Sequence, residues 1–153
     1  MYVMYEGLHS IIFENDFGEQ KHTWEDWHLI PTKKPTMAPP SASGSFVDIP
    51  GRNGSYDLTS YLTGGPTYSD RSGTWEFVMV GTEDGSWDER NAEIAEFLHG
   101  QELKVILTDD PNYYYEGRLS ITDKNTDGQF PKITISYRVR PFKMDRLGVA
   151  EKF

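Results

Sequence analysis

Three stretches of this chain alternate apolar and polar residues with a period of two, and this pattern constrains the fold more than any other feature. They are residues 75–80, 103–108 and 133–140. Successive side chains of a strand point to opposite faces of a sheet, so each stretch predicts a strand with one core face. Residues 113–121 and 46–49 are predicted as further strands. The sequence therefore predicts a mainly β fold, an antiparallel β-sandwich or barrel-like domain.

One segment has helical spacing instead. Four residues form a stripe at intervals of three and four: Trp87, Asn91, Ile94 and Leu98. Such a stripe is typical of a helix with one buried face. Ser86 and Glu89 have the spacing of a capping box, and Gly100 suits a left-handed stop. We predict a single α-helix at about residues 87–99, packed on the sheet.

Two connections between these elements affect the architecture. Residues 121–133 are rich in turn formers, so the strands on either side are predicted to form a long β-hairpin. Residues 31–44 contain four prolines, which cannot donate ladder hydrogen bonds. This segment is either a loose surface loop or an arm that lies on a neighbouring subunit. With no internal repeat, residues 1–153 are predicted to form one domain.

Composition excludes several functions. The chain has 15 basic and 24 acidic residues, a net charge of −9, which disfavours nucleic-acid binding through a basic surface. It has no cysteine, which excludes thiol catalysis and cysteine-ligated zinc. No stretch approaches the ~20 apolar residues that span a bilayer, and the first residues lack the pattern of a secretory signal. We expect no membrane partner.

Three polar clusters were weighed as sites of chemistry. Residues 123–128 match the first half of a calcium loop, but Thr134 stands where that loop needs a glutamate, and a hairpin turn fits better. The histidines in residues 22–28 lack the spacing of metal ligands, so packing with hydrogen bonds is favoured. Residues 109–112 suit a turn after a strand. We therefore predict no enzymatic activity, no metal and no cofactor.

Residues 47–59 combine two turn sequences within a short distance. Pro50-Gly51 suits the centre of a type II turn, and Asn53-Gly54 suits a primed hairpin turn. Apolar residues flank both. The segment is predicted to form a strand, a tight turn and a second strand that together protrude from the domain.

Short motifs follow one another from residue 24 to residue 142. In order they are Trp27-His28-Leu29-Ile30, residues 49–54 followed by Asp57-Leu58-Thr59, Tyr68 and Arg71 before the strand at Trp75, Leu98-His99-Gly100, and residues 109–118. In this order and spacing, the chain resembles the distal tail proteins of siphovirus-type bacteriophages. The motif residues are the candidates for assembly: Trp27, Pro50, Gly51, Arg52, Gly54, Asp57, Arg71, Asp110, Pro111, Tyr114 and Gly117.

The resemblance implies a structural protein of the virion tail tip. Distal tail proteins form a homohexameric ring that joins the tail tube to the tip proteins that engage the host, and DNA passes through it. Their ring-forming domain resembles a β-sandwich with one helix and a long hairpin. Many relatives carry a second, carbohydrate-binding-like domain, which we do not expect in residues 1–153.

Two hypotheses and two rival functions follow. Subunits join head to tail by edge addition of strands or of the proline-rich segment, and acidic side chains line the lumen of the ring. The first rival is a monomeric carbohydrate-binding β-sandwich in which exposed Tyr113, Tyr114 and tryptophan residues stack on sugars. The second is a metal-dependent hydrolase, which requires a bound metal that we do not expect.

Overall fold

A computed structural model of the chain describes residues 9–59, 61, 64–81, 86–125, 130–146 and 151–153. The described residues contain one helix, α1 (Trp87–Leu98), and eleven strands. The strands are β1 (Ile11–Glu14), β2 (Gln20–His22), β3 (Leu29–Pro31), β4 (Phe46–Asp48), β5 (Ser55–Asp57), β6 (Arg71–Met79), β7 (Glu102–Leu107), β8 (Tyr113–Asn125), β9 (Lys132–Val139), β10 (Lys143–Asp145) and β11 (Glu151–Lys152). The prediction of a mainly β, antiparallel fold with one helix is confirmed for these residues.

Most strands belong to one curved sheet. Its order is β2-β1-β7-β8-β9-β6-β3, and β10 extends it by pairing with the start of β8. The ring centroids of Phe13 in β1 and Trp75 in β6 are 6.3 Å apart, although three strands separate β1 from β6 in the sheet order. The sheet therefore folds over its own apolar face like a sandwich. In the part of the chain that the structure describes, it does not close into a barrel, because β2 and β3 each have one neighbour.

The core lies on the face that the alternation predicts. Ile133, Ile135, Tyr137 and Val139 of β9 are all buried, and so are Trp75, Phe77 and Met79 of β6. The long hairpin is confirmed as β8 and β9, which pair from Gly117↔Val139 to Asn125↔Lys132. Strand β8 continues to Asn125, beyond the predicted end at residue 121, because its pairing with β9 resumes after an irregularity between Ile121 and Asp123. The turn predicted at residues 123–128 is wrong for residues 123–125, which pair with β9 as part of β8, and residues 126–128 lie outside the described residues.

The helix packs on the sheet through the predicted stripe, with Ile94 and Leu98 fully buried. Gly100 takes the predicted left-handed conformation at φ +75°. The prediction of a capping box is wrong, because Ser86 has φ −81° and ψ 9° and its side chain makes no capping hydrogen bond. Capping side chains are presented from an extended backbone, which Ser86 lacks. With 12 residues and a mostly polar surface, α1 is neither long nor apolar enough to cross a membrane.

Residues 32–40 of the proline-rich segment lie across the domain's own sheet. The indole N–H of Trp75 donates to the carbonyl of Thr36 at 3.1 Å, and the Tyr137 hydroxyl accepts the N–H of Ala38 at 2.8 Å. The rings of Trp75 and Tyr137 stack with centroids 4.4 Å apart. Pro35 and Pro40 are buried. This part of the segment is thus held by core residues of its own subunit.

Candidate assembly surface

Strands β4 and β5 form a hairpin that stands apart from the main sheet. Among the described residues they pair only with each other, in the register Phe46↔Asp57, Val47↔Tyr56 and Asp48↔Ser55. The base of the hairpin is closed by a hydrogen bond from the N–H of Leu58 to the carbonyl of Ser45 at 2.7 Å. Every residue of both strands is exposed. The outer edge of each strand is therefore open to pairing with another chain.

Two turns shape the tip of this hairpin. The N–H of Arg52 donates to the carbonyl of Ile49 at 3.1 Å, and Gly51 has φ +83°, which confirms the type II turn at Pro50-Gly51. Gly54 also has a positive φ of +79°. The primed turn predicted at Asn53-Gly54 is wrong, because Asn53 does not take the positive φ that such a turn requires. The type II turn has already reversed the chain.

One face of the hairpin is apolar and uncovered. Residues directly opposite each other share a face, as do residues two apart, so Val47, Ile49, Tyr56 and Leu58 lie together. Their exposed fractions are 41–47%. The guanidinium of Arg52 lies 3.6 Å from the centroid of the Tyr56 ring and adds one positive charge to this side. We call these five residues the apolar hairpin face. Apolar and polar residues alternate along it as they do in a core strand, but no described residue buries its apolar side chains.

The opposite face of the hairpin carries Phe46, which is 67% exposed, together with a set of hydrogen bonds. The Ser55 hydroxyl donates to the carboxylate of Asp48. The Asp57 carboxylate accepts hydrogen bonds from the Thr59 hydroxyl and from its backbone N–H, the latter at 3.0 Å. These bonds hold the pKa of Asp57 below its usual value, the hydroxyl having the larger effect. The Thr59 hydroxyl also accepts the N–H of Ser45 at 3.1 Å. Asp57 thus fixes the base of the hairpin.

The candidate residues predicted from sequence fall into three groups. Pro50, Gly51, Arg52, Gly54 and Asp57 all lie in the exposed hairpin. The structure does not bring the other candidates to this surface. One further group contributes to packing, and the other lies between β7 and the start of β8.

Three of the remaining candidates are interior residues. Trp27 is 1% exposed and packs its ring against Phe13 and Phe97. Arg71 is buried, and its Nε donates to the carbonyl of Pro141 at 2.9 Å. Gly117 lies where β8 and β9 approach so closely that a side chain has no room.

Asp110, Pro111 and Tyr114 lie at the connection between β7 and β8. The N–H of Tyr113 reaches the carbonyl of Asp110 at 3.4 Å, with Pro111 inside the predicted turn. Both tyrosine rings that a carbohydrate-binding module would offer have a cation over one face. Lys143 lies 4.5 Å from the centroid of Tyr113, and Lys104 lies 4.9 Å from that of Tyr114. Both tyrosines are half-buried.

The cluster at residues 22–28 is a hydrogen-bonded turn, as the sequence favoured. The Nδ1 atom of His22 accepts the backbone N–H groups of Trp24 and Glu25 at 3.2 and 3.1 Å. The Asp26 carboxylate accepts the N–H of His22 at 2.7 Å. Across the described ranges, no group of three histidine or acidic side chains is arranged to hold a metal ion.

Sequence reasoning missed one exposed aromatic residue. Phe17 is 91% exposed at the turn between β1 and β2. Its signal was available, because Asn15-Asp16-Phe17-Gly18 is a turn sequence with a large apolar residue inside it. An apolar residue in such a turn has no strand or helix to direct it inward.

Comparison with known proteins gives a likeness of fold. No protein-family model matches the sequence, and no curated protein matches it significantly. A solved structure that is similar is described as the SPP1 Dit (gp 19.1) protein, a paradigm of hub adsorption apparatus in Gram-positive infecting phages. The TM-score is 0.67 at 18% sequence identity, over 90% of this chain and 52% of that one. The chain thus spans about half the length of that structure, and the likeness shows a shared fold.

Proposed function

We propose that this chain is a structural component of a bacteriophage tail tip, located in the virion and without catalytic activity. The observation that carries the proposal is the likeness of fold to a phage hub adsorption protein across 90% of the chain. The motif order in the sequence points to the same class of protein. In this role the chain joins the tail tube to the tip proteins that engage the host.

The proposed assembly is a homo-oligomeric ring, a hexamer, through which DNA passes. The apolar hairpin face supports self-assembly, because it has the pattern of a buried surface and nothing in the described chain covers it. Its free edges suit the addition of a strand from a neighbour. We assign the contact with a neighbouring subunit to the hairpin and not to the proline-rich segment, because residues 32–40 of that segment are held on their own sheet. The lumen is proposed to be lined by acidic residues.

Light scattering coupled to size exclusion, with negative-stain imaging, tests this proposal. We expect a six-subunit mass and ring-shaped particles, alone or after mixing with a tail tube protein of the same phage. A strictly monomeric chain that also fails to bind the tube protein would contradict the proposal. Specific binding of a glycan array by that monomer would instead support the carbohydrate-binding alternative.

A further inference from the structure

The turn between β1 and β2 presents Phe17 on a rigid support. The side-chain carbonyl of Asn15 accepts the backbone N–H of Phe17 at 3.0 Å and that of Glu19 at 2.9 Å. The N–H of Asn15 donates to the carbonyl of Glu19 at 3.0 Å, and Gly18 supplies a φ of +82°. The backbone is therefore fixed on both sides of an almost fully exposed ring. Little conformational entropy remains to be lost when that ring binds.

The surroundings of Phe17 are acidic. Asp16 and Glu19 are exposed next to it in the sequence, and Glu14 is the last residue of β1. Residues 10–20 contain no lysine or arginine. Glu14 has partners in its own subunit, since its carboxylate accepts a hydrogen bond from the Gln20 amide at 3.0 Å and lies 4.0 Å from the Nζ atom of Lys104. We call Glu14, Asp16, Phe17 and Glu19 the Phe17 knob, an aromatic ring with an acidic rim.

The apolar hairpin face has the complementary properties. Its one charged residue is the cation Arg52, while Asp48 and Asp57 lie on the other face of the hairpin. Leu58 continues this face into a groove of about 310 Å³, which is also lined by Gly44 and Tyr61. An apolar surface with a cation at one end fits an aromatic ring with carboxylates at its rim.

The two surfaces lie at opposite ends of the sheet. Strands alternate in direction from β1 through β7, β8 and β9 to β6, so β1 and β6 run the same way. The Phe17 knob follows the end of β1, whereas the hairpin precedes the start of β6. One copy therefore cannot easily join its own two surfaces, but successive copies can. Contact between two different surfaces of identical subunits is heterologous and produces a ring when the rotation closes.

We propose that the Phe17 knob of one copy binds the apolar hairpin face of the next copy. The Phe17 ring packs on Val47, Tyr56 and Leu58, and the carboxylates of Asp16 and Glu19 face Arg52. This contact rests on the ring assembly of the proposed function and names the residues that would form it. A buried aromatic anchor inside a rim of charge pairs is the usual pattern of an energetically important contact.

The chain has no cysteine, so engineered disulfides test the contact directly. The variant Asp16→Cys/Arg52→Cys keeps both Phe17 and the apolar side chains. Under mild oxidation we expect a ladder of covalent oligomers beyond the dimer, because each subunit carries both halves of the contact. Each single variant can give at most a dimer. Asp16→Cys/Glu89→Cys is the matched control, since Glu89 is exposed on α1 away from the hairpin, and it should give no ladder.

Two further sets of variants test the chemistry of the contact. Phe17→Ala should weaken self-association about tenfold or more, whereas Phe130→Ala, another exposed phenylalanine, should leave it unchanged. Arg52→Glu and Asp16→Lys/Glu19→Lys should each weaken association, and their combination in one chain should restore it.

If the wild-type chain forms rings, but the Asp16→Cys/Arg52→Cys variant gives no ladder and Phe17→Ala leaves self-association unchanged, this contact is overturned and the proposed function stands. If the wild-type chain stays monomeric with its tube partner present and the double-cysteine variant gives no ladder, both are overturned.

Discussion

Strand β9 and the β4–β5 hairpin have the same alternation of apolar and polar residues but opposite environments. The apolar side chains of β9 are at most 5% exposed, whereas those of the apolar hairpin face are 41–47% exposed. In β9 they belong to the same buried core as Ile94 and Leu98 of α1 and the apolar residues of β1 and β6. In the hairpin no described residue covers them. Alternation therefore reveals that a strand has a face to bury, and it does not reveal which chain buries that face.

The largest expected effect comes from changing one isoleucine to alanine in each of the two regions and comparing the losses of stability. Ile135→Ala should destabilise the chain by about 2–5 kcal/mol, because it leaves a cavity beside fully buried neighbours. Ile49→Ala should change the stability of the monomer by about 0.5 kcal/mol or less, because Ile49 is 42% exposed. Urea unfolding of both variants, at a concentration where the chain is monomeric, measures the difference. Equal losses would show that the hairpin packs on its own domain.

A second substitution tests how closely β8 and β9 approach each other near Arg71. A methyl group at Gly117 would overlap the carbonyl oxygen of Arg138 and lie 2.5 Å from the Cα of Val139. Gly117→Ala should therefore destabilise the monomer by about 1–3 kcal/mol or prevent folding. Gly65→Ala is the matched control, because a methyl group there meets no atom within 4 Å. Thermal unfolding measured by circular dichroism compares the two, and a stable Gly117→Ala variant would refute the close approach of β8 and β9.

The smallest effect concerns the hairpin base and its pH dependence. The Thr59 hydrogen bonds lower the pKa of Asp57 in the folded chain, so their contribution is present above the unfolded pKa of about 3.9 and is lost as pH falls through the lower folded value. In an NMR titration, the Thr59 amide should shift with a midpoint below that of an unperturbed aspartate. Asp57→Asn should abolish this transition without unfolding the sheet. A midpoint at the ordinary value would show that the bonds do not persist in solution.

The elements that could be predicted from sequence are those with a local cause. The strands β6, β7 and β9, the helix α1 and the type II turn at Pro50-Gly51 follow from periodicity and turn chemistry in neighbouring residues. The reach of β8 to Asn125 depends on pairing with β9, which local residues do not encode. The packing of residues 32–40 depends on the distant side chains of Trp75 and Tyr137. The sequence therefore predicts two alternative positions for the proline-rich segment.

The candidate site shows the same limit. The hairpin residues were found because glycine and proline mark turns wherever they occur. Trp27, Arg71 and Gly117 belong to the same motifs, but the structure places them in the interior, where each meets a packing requirement. Phe17 was missed because a single apolar residue in a turn is common on protein surfaces. Its significance depends on the acidic rim and on its place at the far end of β1.

The separation of the hairpin from the main sheet also has a consequence for the order of folding. The hairpin joins residues close in sequence and can form within about 1–10 μs, whereas β1 must pair with β7, which lies at residues 102–107. The apolar hairpin face is therefore available for contact while the core is still forming, although a lone hairpin is only marginally stable. A growing or refolding chain is consequently prone to premature association through this face. Slow synthesis or dilute refolding should raise the yield of correctly assembled protein.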